Sequence, residues 1–467
     1  MRSLRMHEFS SLALRRELIE SATARGFTQM TPIQAQSLPA ILAGEDVLGQ
    51  ADTGSGKTAA FGFGLLNKLV VERAETQALV LCPTRELADQ VGQALRQFAA
   101  PIANVKLVTL CGGAPMRAQV NSLAQPPHVV VGTPGRILAH LRRESLQTHA
   151  LQTLVLDEAD RMLDMGFIDD IEAIVACLPA ARQTLLFSAT WPEAIRNVSA
   201  QLQQAPQEIT ATAASQPLRI SQVFHKVEDA EKLGALERVL ADTQQRRKAF
   251  TQALVFCNRR DEVDRVCAFL NQRGVFALAL HGDREQRERD EVLLRFANGS
   301  CAVLVATDVA ARGLDIAALP LVVSLDLARD IDTHTHRIGR TGRAGEAGRA
   351  VSLCTPRELE RAERIAAAGG FRLSWSRWPQ AQAAARAQPP MATLVIQGGR
   401  RDKLRPGDIL GALTGDGGLA GDEVGKIEIT PVRSYVAIAR GRALPARDRL
   451  RQAGIKKRRF RVAVLGD

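Results

Sequence analysis

EDVLGQADTGSGKTAAF, residues 45–61, passes from an apolar strand pattern through a glycine-bearing loop into a helical pattern. It fits the phosphate-binding loop GxxxxGK[ST], with Ala51 in place of the first glycine. Gly54 and Gly56 permit a tight backbone whose N–H groups wrap phosphate oxygens at a helix N-terminus. The expected nucleotide loop is therefore Ala51, Asp52, Thr53, Gly54, Ser55, Gly56, Lys57 and Thr58, with Lys57 on the outer phosphates and the Thr58 hydroxyl on Mg2+. FGFGLL at 61–66 is read as packing inside the following helix.

A phosphate loop needs a carboxylate on a neighbouring strand, and LQTLVLDEAD ends an apolar run on Asp157 and Glu158. Asp157 is placed to hold magnesium through water, and Glu158 to polarise an attacking water. HRIGRTGR, 336–343, supplies Arg337, Arg340 and Arg343 as cations for a γ-phosphate, far from the loop in sequence. An arginine arriving from another domain makes hydrolysis depend on closure.

Outward from these motifs, short apolar runs alternate with helical stretches, the pattern of parallel strands with crossover helices. EDVLGQ, TQALVLC, NVKLVTLC, PHVVVG, LQTLVLDEAD and RQTLLFSAT form one series; QALVFC, VFALALHG, CAVLVAT, PLVVSLD and GRAVSLC form a second. The expected organisation is an α/β domain at 1–205, a linker at 206–220, a second α/β domain at 221–370, a linker at 371–390 and a small unit at 391–467. That last unit reads strand, helix, strand, strand, helix, strand, the ferredoxin-like βαββαβ order of RNA-recognition modules. At 467 residues, two or three cored units are the expectation.

No apolar run approaches the roughly 18 residues of a membrane span, and charges interrupt any signal core near the N-terminus, so a cytoplasmic location is expected. Seven cysteines without a CxxC pair read as reduced core residues. Of the net charge of +11, residues 391–467 hold 16 basic against 8 acidic residues. A polyanion fits that concentration of charge, as does a solvated basic surface. GIKKRRFRV, 454–462, leads its four cations into an alternating strand pattern, which favours a structured surface over a free tail or an address label.

With GSGKT, DEAD, SAT (188–190) and HRIGRTGR in order, the first 370 or so residues resemble the DEAD-box ATP-dependent RNA helicases. GFTQMTPIQ (26–34), PTRELA (83–88), Gly112-Gly113, TPGR (133–136), VFCNRR (255–260) and ATDVAARGLDI (306–316) extend the likeness. The resemblance implies two RecA-like domains, ATP and Mg2+ as nucleotide and metal, and RNA as partner. It implies that Phe27 stacks on adenine, that Gln34 reads the adenine edge, and that Phe9 is the isolated aromatic of the same motif. Asp160, Ser188 and Thr190 would couple nucleotide to RNA, Asp315 would touch the ribose, His336 would orient water, and Arg340 and Arg343 would be the γ-phosphate fingers. RNA contacts would fall on Arg85, Gly113, Thr133, Arg136, Arg259, Gln286, Arg289 and Thr307, positioning the backbone without reading bases.

MATLVIQGG, the stretch from RPGDILGALT to KIEI, and SYVAIA resemble the C-terminal module of the bacterial DbpA-type helicases, and HTHRIGRTGR with His334 is similar to that subgroup. This implies an RRM-like module directed to a 23S rRNA hairpin in the peptidyl-transferase region and action on pre-50S particles, with no membrane and no obligate protein partner. Tyr435, the one tyrosine, would stand at an aromatic RNA-contact position of the sheet, with Ala437 and Arg440 at the others. Recognition would then rest on Arg447, Lys456, Lys457, Arg458, Arg459 and Arg461. An alternative reading is an ATP-regulated clamp or annealing factor. Motifs alone fit a DNA translocase equally, and only the resemblance points to RNA.

Overall fold

Strand formation follows the apolar runs, because a strand covered on both faces must be apolar at successive positions. The computed structural model describes residues 8–51, 54–191, 193–211, 220–247, 250–311, 319–342, 347–379 and 388–466. Asp52, Thr53, Asp315 and Arg343 lie outside the described residues.

The first sheet contains β1 (Val47–Gln50), β2 (Ala78–Leu81), β3 (Leu107–Leu110), β4 (Val129–Gly132), β5 (Thr153–Asp157), β6 (Gln183–Ser188) and β7 (Gln207–Thr210). Their order is β3-β4-β2-β5-β6-β1-β7, with parallel neighbours. Alternation sends Val80, Val131, Val155 and Phe187 toward helices Pro32–Ala43, Lys57–Lys68 and Arg85–Phe98. Leu79, Leu81, Val130, Leu156 and Leu186 join the opposite core with helices Pro134–Arg142, Ile168–Val175 and Glu193–Leu202.

The second sheet contains β8 (Ile220–Lys226), β9 (Ala253–Cys257), β10 (Ala277–Leu280), β11 (Val303–Thr307), β12 (Leu321–Ser324), β13 (Gly348–Cys354) and β14 (Trp375–Ser376), ordered β10-β11-β9-β12-β13-β8-β14 and again parallel. Two strands stand where linkers were expected. β7 buries only Ile209, so it carries no apolar run, and β14 is two residues joined to β8 at the sheet edge.

The third sheet is antiparallel, with β15 (Met391–Ile396), β16 (Val424–Ile429), β17 (Ser434–Ala439) and β18 (Val462–Val464) in the order β16-β17-β15-β18. Helices Pro406–Thr414 and Ala443–Ala453 cover one face through Ile409, Leu413, Ala446 and Leu450, packed on Leu394, Ile396, Val436 and Ile438. The chain divides into two compact units, the first sheet in one and the second and third sheets together in the other. Among the described residues no helix is long and apolar enough to cross a membrane.

Candidate functional site

Parallel sheets gather ligands at their strand carboxyl ends, where loops open and following helices present their N-termini. In the first sheet the adjacent strands β5, β6 and β1 carry Asp157 and Glu158, Ser188 to Thr190, and the Gly54–Thr58 loop at that edge. Gly56 caps the helix Lys57–Lys68 at φ 98°, and a Cβ there would stand 2.4 Å from Gln34 Nε2. Only glycine meets both conditions.

Gln34 closes a capping box: its Oε1 accepts from Thr31 N–H at 2.9 Å while its Nε2 donates to Gly56 O at 3.1 Å. Each end of the amide keeps one further bonding capacity, an acceptor and a donor, as a bidentate contact to a base edge requires. Phe27 is 37% exposed and stacks at 6.4 Å on Phe9. Phe9 is 3% exposed, wedged at 5.3 Å against Phe63, so it backs Phe27 instead of presenting its own face.

Ser55 Oγ, Lys57 Nζ and Asp157 Oδ1 are buried with no hydrogen-bond partner among the described residues. Burial pushes the Asp157 carboxyl up to about 6 although Lys57 opposes the shift. Buried polar atoms are ordinarily satisfied, so this group of orphans fits a phosphate chain with its divalent cation. Glu158 sits in the left-handed region at φ 55° and accepts from Arg161 Nη1 at 2.7 Å, both side chains buried. Asp160 Oδ2 accepts from Ala189 N, Thr190 N and Thr190 Oγ1 at 3.0–3.1 Å, and its Oδ1 from Arg161 N at 2.9 Å. Ser188 Oγ donates to Thr190 O at 2.7 Å. The structure thus brings the acidic motif and the SAT loop into one network.

Strands β3, β4 and β2 form the other half of the same edge, and the loops after them hold Gly113, Thr133 and Arg85. Gly113, at φ 80°, lies so close to Arg85 that a Cβ would approach Nη1 to 2.0 Å. Arg136, one turn into the helix after β4, donates to Ala114 O at 3.1 Å.

In the second unit the RNA candidates again follow one half of the sheet. Thr307 ends β11, Arg259 follows β9, and Gln286 opens the helix Gln286–Ala297 after β10, with Arg289 one turn on. Arg259 is exposed and lies 3.6 Å from Asp261. His336 sits on the helix Ile331–Ile338, and Arg340, just past it, is buried. Arg337 does not fit the finger role. It is 1% exposed, pairs both ways with Asp308 at 2.7 Å, and donates to Asp326 O and Asn258 Oδ1. Those bonds fix it as a core cation.

The third sheet revises one expectation. Thr393, Val395, Tyr435 and Ala437 line the face opposite the helices, yet all four are buried, Tyr435 at 5% exposure. Tyr435 Oη donates to Glu291 at 2.8 Å, Thr393 Oγ1 bonds Ser300 Oγ at 2.9 Å, and Asn298 Nδ2 donates to Thr393 Oγ1 at 3.0 Å. The face expected to carry an RNA-contact tyrosine is docked on the second α/β domain, so Tyr435 is no stacking platform here.

The cation run forms a turn, and the strand it was expected to lead into starts later than the alternation from Arg459 suggests. Lys456 and Lys457 have φ 52° and 61°, between the paired Ile455 and Arg458, and β18 begins only at Val462. Lys456 pairs with Asp408 at 2.8 Å and Arg458 with Asp402 at 3.2 Å. Lys457 and Arg459 are exposed and have no ion pair among the described residues, and Arg461 is exposed as well. Arg447 pairs with neighbouring Asp448 at 2.8 Å. Beside the turn lies a basin of about 380 Å³ lined by Arg400, Lys403, Leu404, Arg405 and Lys456.

Residues 31–198 match the DEAD/DEAH box helicase family, 231–345 the helicase conserved C-terminal domain, and 393–464 the DbpA RNA binding domain. The chain is 52% identical over 442 residues to the ATP-dependent RNA helicase DbpA of Escherichia coli (strain K12), covering 94% of this chain and 95% of that one. This chain belongs to the DEAD-box RNA helicases of the DbpA type. It is also 43% identical over 361 residues to the DEAD-box ATP-dependent RNA helicase CshA of Geobacillus kaustophilus, covering 77% of this chain and 76% of that one. Among solved structures, S. cerevisiae Dbp5 bound to RNA and ADP BeF3 superposes with a TM-score of 0.71 at 28% identity, covering 79% of this chain and 96% of that one. Mss116p bound to ssRNA and AMP-PNP gives 0.72 at 26%, covering 79% and 78%.

For this helicase, sequence reasoning passed over the cations of the basin. Arg400, Arg401, Lys403 and Arg405 fall within six residues of GGRRDKLRPG, a second cation cluster somewhat less dense than the terminal run. It also passed over Glu291, which no motif marks.

Proposed function

We propose that this ATP-dependent RNA helicase acts by local, non-processive duplex separation and is directed by its third module to a 23S rRNA hairpin during large-subunit assembly. The observation that carries the reading is the third module itself. It matches the DbpA RNA binding domain, its sheet face is docked, and its cations ring an open basin beside the 456–459 turn.

In the proposed mechanism Phe27 and Gln34 take the adenine and Asp315 the ribose, while the loop from Ala51 to Thr58 cradles the phosphates. Thr58, and Asp157 through water, would hold Mg2+, which when bound would neutralise charge on the outer phosphates. Glu158 is the proposed residue that orients and deprotonates the attacking water, with His336 assisting. Arg340 and Arg343 supply positive charge to the γ-phosphate. Asp160, Ser188 and Thr190 link this chemistry to an RNA grip made by Arg85, Gly113, Thr133, Arg136, Arg259, Gln286, Arg289 and Thr307, through backbone contacts that carry no sequence information. Specificity therefore falls to the third module, through Arg447, Arg461, the basin and the 456–459 turn.

Crosslinking the protein to total cellular RNA and sequencing the bound fragments tests this reading. Enrichment of the peptidyl-transferase region of 23S rRNA is expected, and fragments spread evenly over cellular RNA would overturn the targeting. ATP-driven separation of a short duplex beside the hairpin is expected too; persistent failure would favour a clamp.

A further inference from the structure

Behind Arg136 lies a set of buried polar groups that no motif marks. Gln119, on the helix Met116–Leu123, is 7% exposed. Its Nε2 donates to Cys111 O at 2.9 Å, and its Oε1 lies 3.0 Å from Arg136 Nη1 and 3.0 Å from His140 Nε2. Arg136 and His140 are four residues apart on one helix and so share a face. Arginine only donates, so the Gln119 atom facing it is the oxygen; that oxygen only accepts, so His140 carries its proton on Nε2. His140 Nδ1 is then left to accept from the Ser145 hydroxyl at 2.8 Å. Burial, reinforced by Arg136 and then Arg143, lowers the His140 pKa and keeps the ring neutral.

The consequence is directional. Arg136 Nη1 has two N–H groups, spent on Ala114 O and Gln119 Oε1. Nε and Nη2 make no hydrogen bond among the described residues, and together they form the fork that meets two oxygens of one phosphate. Cys111, Ala114 and Gln119 all flank Gly112-Gly113, so the same backbone that approaches Arg85 also sets Arg136.

We propose that Gln119 is a positioning residue for the RNA grip: backed by His140 and Ser145, it locks Nη1 of Arg136 and aims the Nε/Nη2 edge at an RNA phosphate. The proposal rests on the reading of Arg136 as a backbone contact.

The test titrates the full-length protein with single-stranded oligo(U) RNA, recording the half-saturating concentration and the maximal ATPase rate. Arg136→Ala should raise the half-saturating concentration about tenfold, as loss of a charge-assisted phosphate contact does. Gln119→Met should raise it about three- to tenfold with a much smaller fall in maximal rate. The Gln119→Met/Arg136→Ala double variant should be no worse than Arg136→Ala alone, because the two act through one contact. Gln119→Glu, which keeps an acceptor for Arg136 and His140 but cannot donate to Cys111 O, should stay within about twofold of the parent. Additive losses in the double variant, or a Gln119→Glu as impaired as Gln119→Met, would show a structural tie to Cys111 only. Should Gln119→Met not fold, Gln119→Ala takes its place in each of these comparisons. An unchanged Arg136→Ala would instead overturn the RNA role of Arg136, and with it the proposal.

Discussion

The Tyr435 hydroxyl donates to Glu291 Oε1 at 2.8 Å, and the same oxygen accepts from Arg433 Nη1 at 3.1 Å. This relationship joins the third module to the helix that carries Gln286 and Arg289. It also raises the Tyr435 phenol to about 12, through burial first and then the carboxylate. A docked tyrosine and a stacking tyrosine predict different losses. Tyr435→Ala should lower hydrogen-exchange protection across β15 and β17 yet change hairpin affinity less than twofold. A platform role would cost about 1–3 kcal/mol of binding, roughly tenfold or more, by the same substitution.

Arg337 should behave as a core residue. Arg337→Ala strands Asp308 and uncovers Asn258 Oδ1 and Asp326 O, so unfolding of the protein by denaturant should move by about 3–5 kcal/mol, the usual effect of removing one partner of a buried pair. A catalytic finger would instead leave stability near normal and abolish only turnover.

His334 gives the pH dependence. It is 1% exposed, bonded to Gln222 Oε1 at 3.0 Å and stacked beside Phe224 and Phe371. Burial, with a contribution from Arg337, lowers its pKa from 6.5 to about 4. The unfolded chain therefore takes up a proton that the folded chain refuses, and stability falls as pH drops from 6.5 toward 4, by up to about 3 kcal/mol. His334→Phe, which can keep the stacking, should flatten the acid limb of the denaturation midpoint against pH. An unchanged limb would assign the acid sensitivity to other groups.

The cation turn divides into two pairs. Lys456 and Arg458 neutralise Asp408 and Asp402, so replacing either by alanine also leaves a carboxylate beside the basin. Lys457 and Arg459 make no ion pair among the described residues. Lys457→Ala with Arg459→Ala should reduce the slope of log affinity for the hairpin against log salt by about one per lost phosphate contact. Lys403→Glu with Arg405→Glu should weaken binding more, with the maximal ATPase rate near normal. An unchanged slope would make the turn a solvated edge.

The sequence was informative wherever function constrains backbone and residue type together. Gly56 must be glycine against Gln34, and Gly113 against Arg85, so those motifs announced themselves. The strands with apolar runs were legible for the same kind of reason, since burial on both faces demands them. β7 and β14 were not, because an edge strand with one buried side chain, as in β7, or none, as in β14, leaves no apolar pattern. The docked sheet was not legible either: Thr393, Val395, Tyr435 and Ala437 look alike in sequence whether the face meets RNA or protein. Arg337 and Arg340 share a motif, and only contacts distinguish an arginine tied to Asp308.

Whether the third module targets the enzyme is tested most directly by ATP turnover with two RNAs, a 23S fragment carrying the peptidyl-transferase hairpin and the same fragment with the hairpin loop scrambled. Half-saturation is expected at a concentration at least about tenfold lower for the intact hairpin, the scale of one or two lost base contacts. Glu158→Gln should abolish turnover with both. Equal half-saturating concentrations for the two RNAs would contradict targeting by the third module.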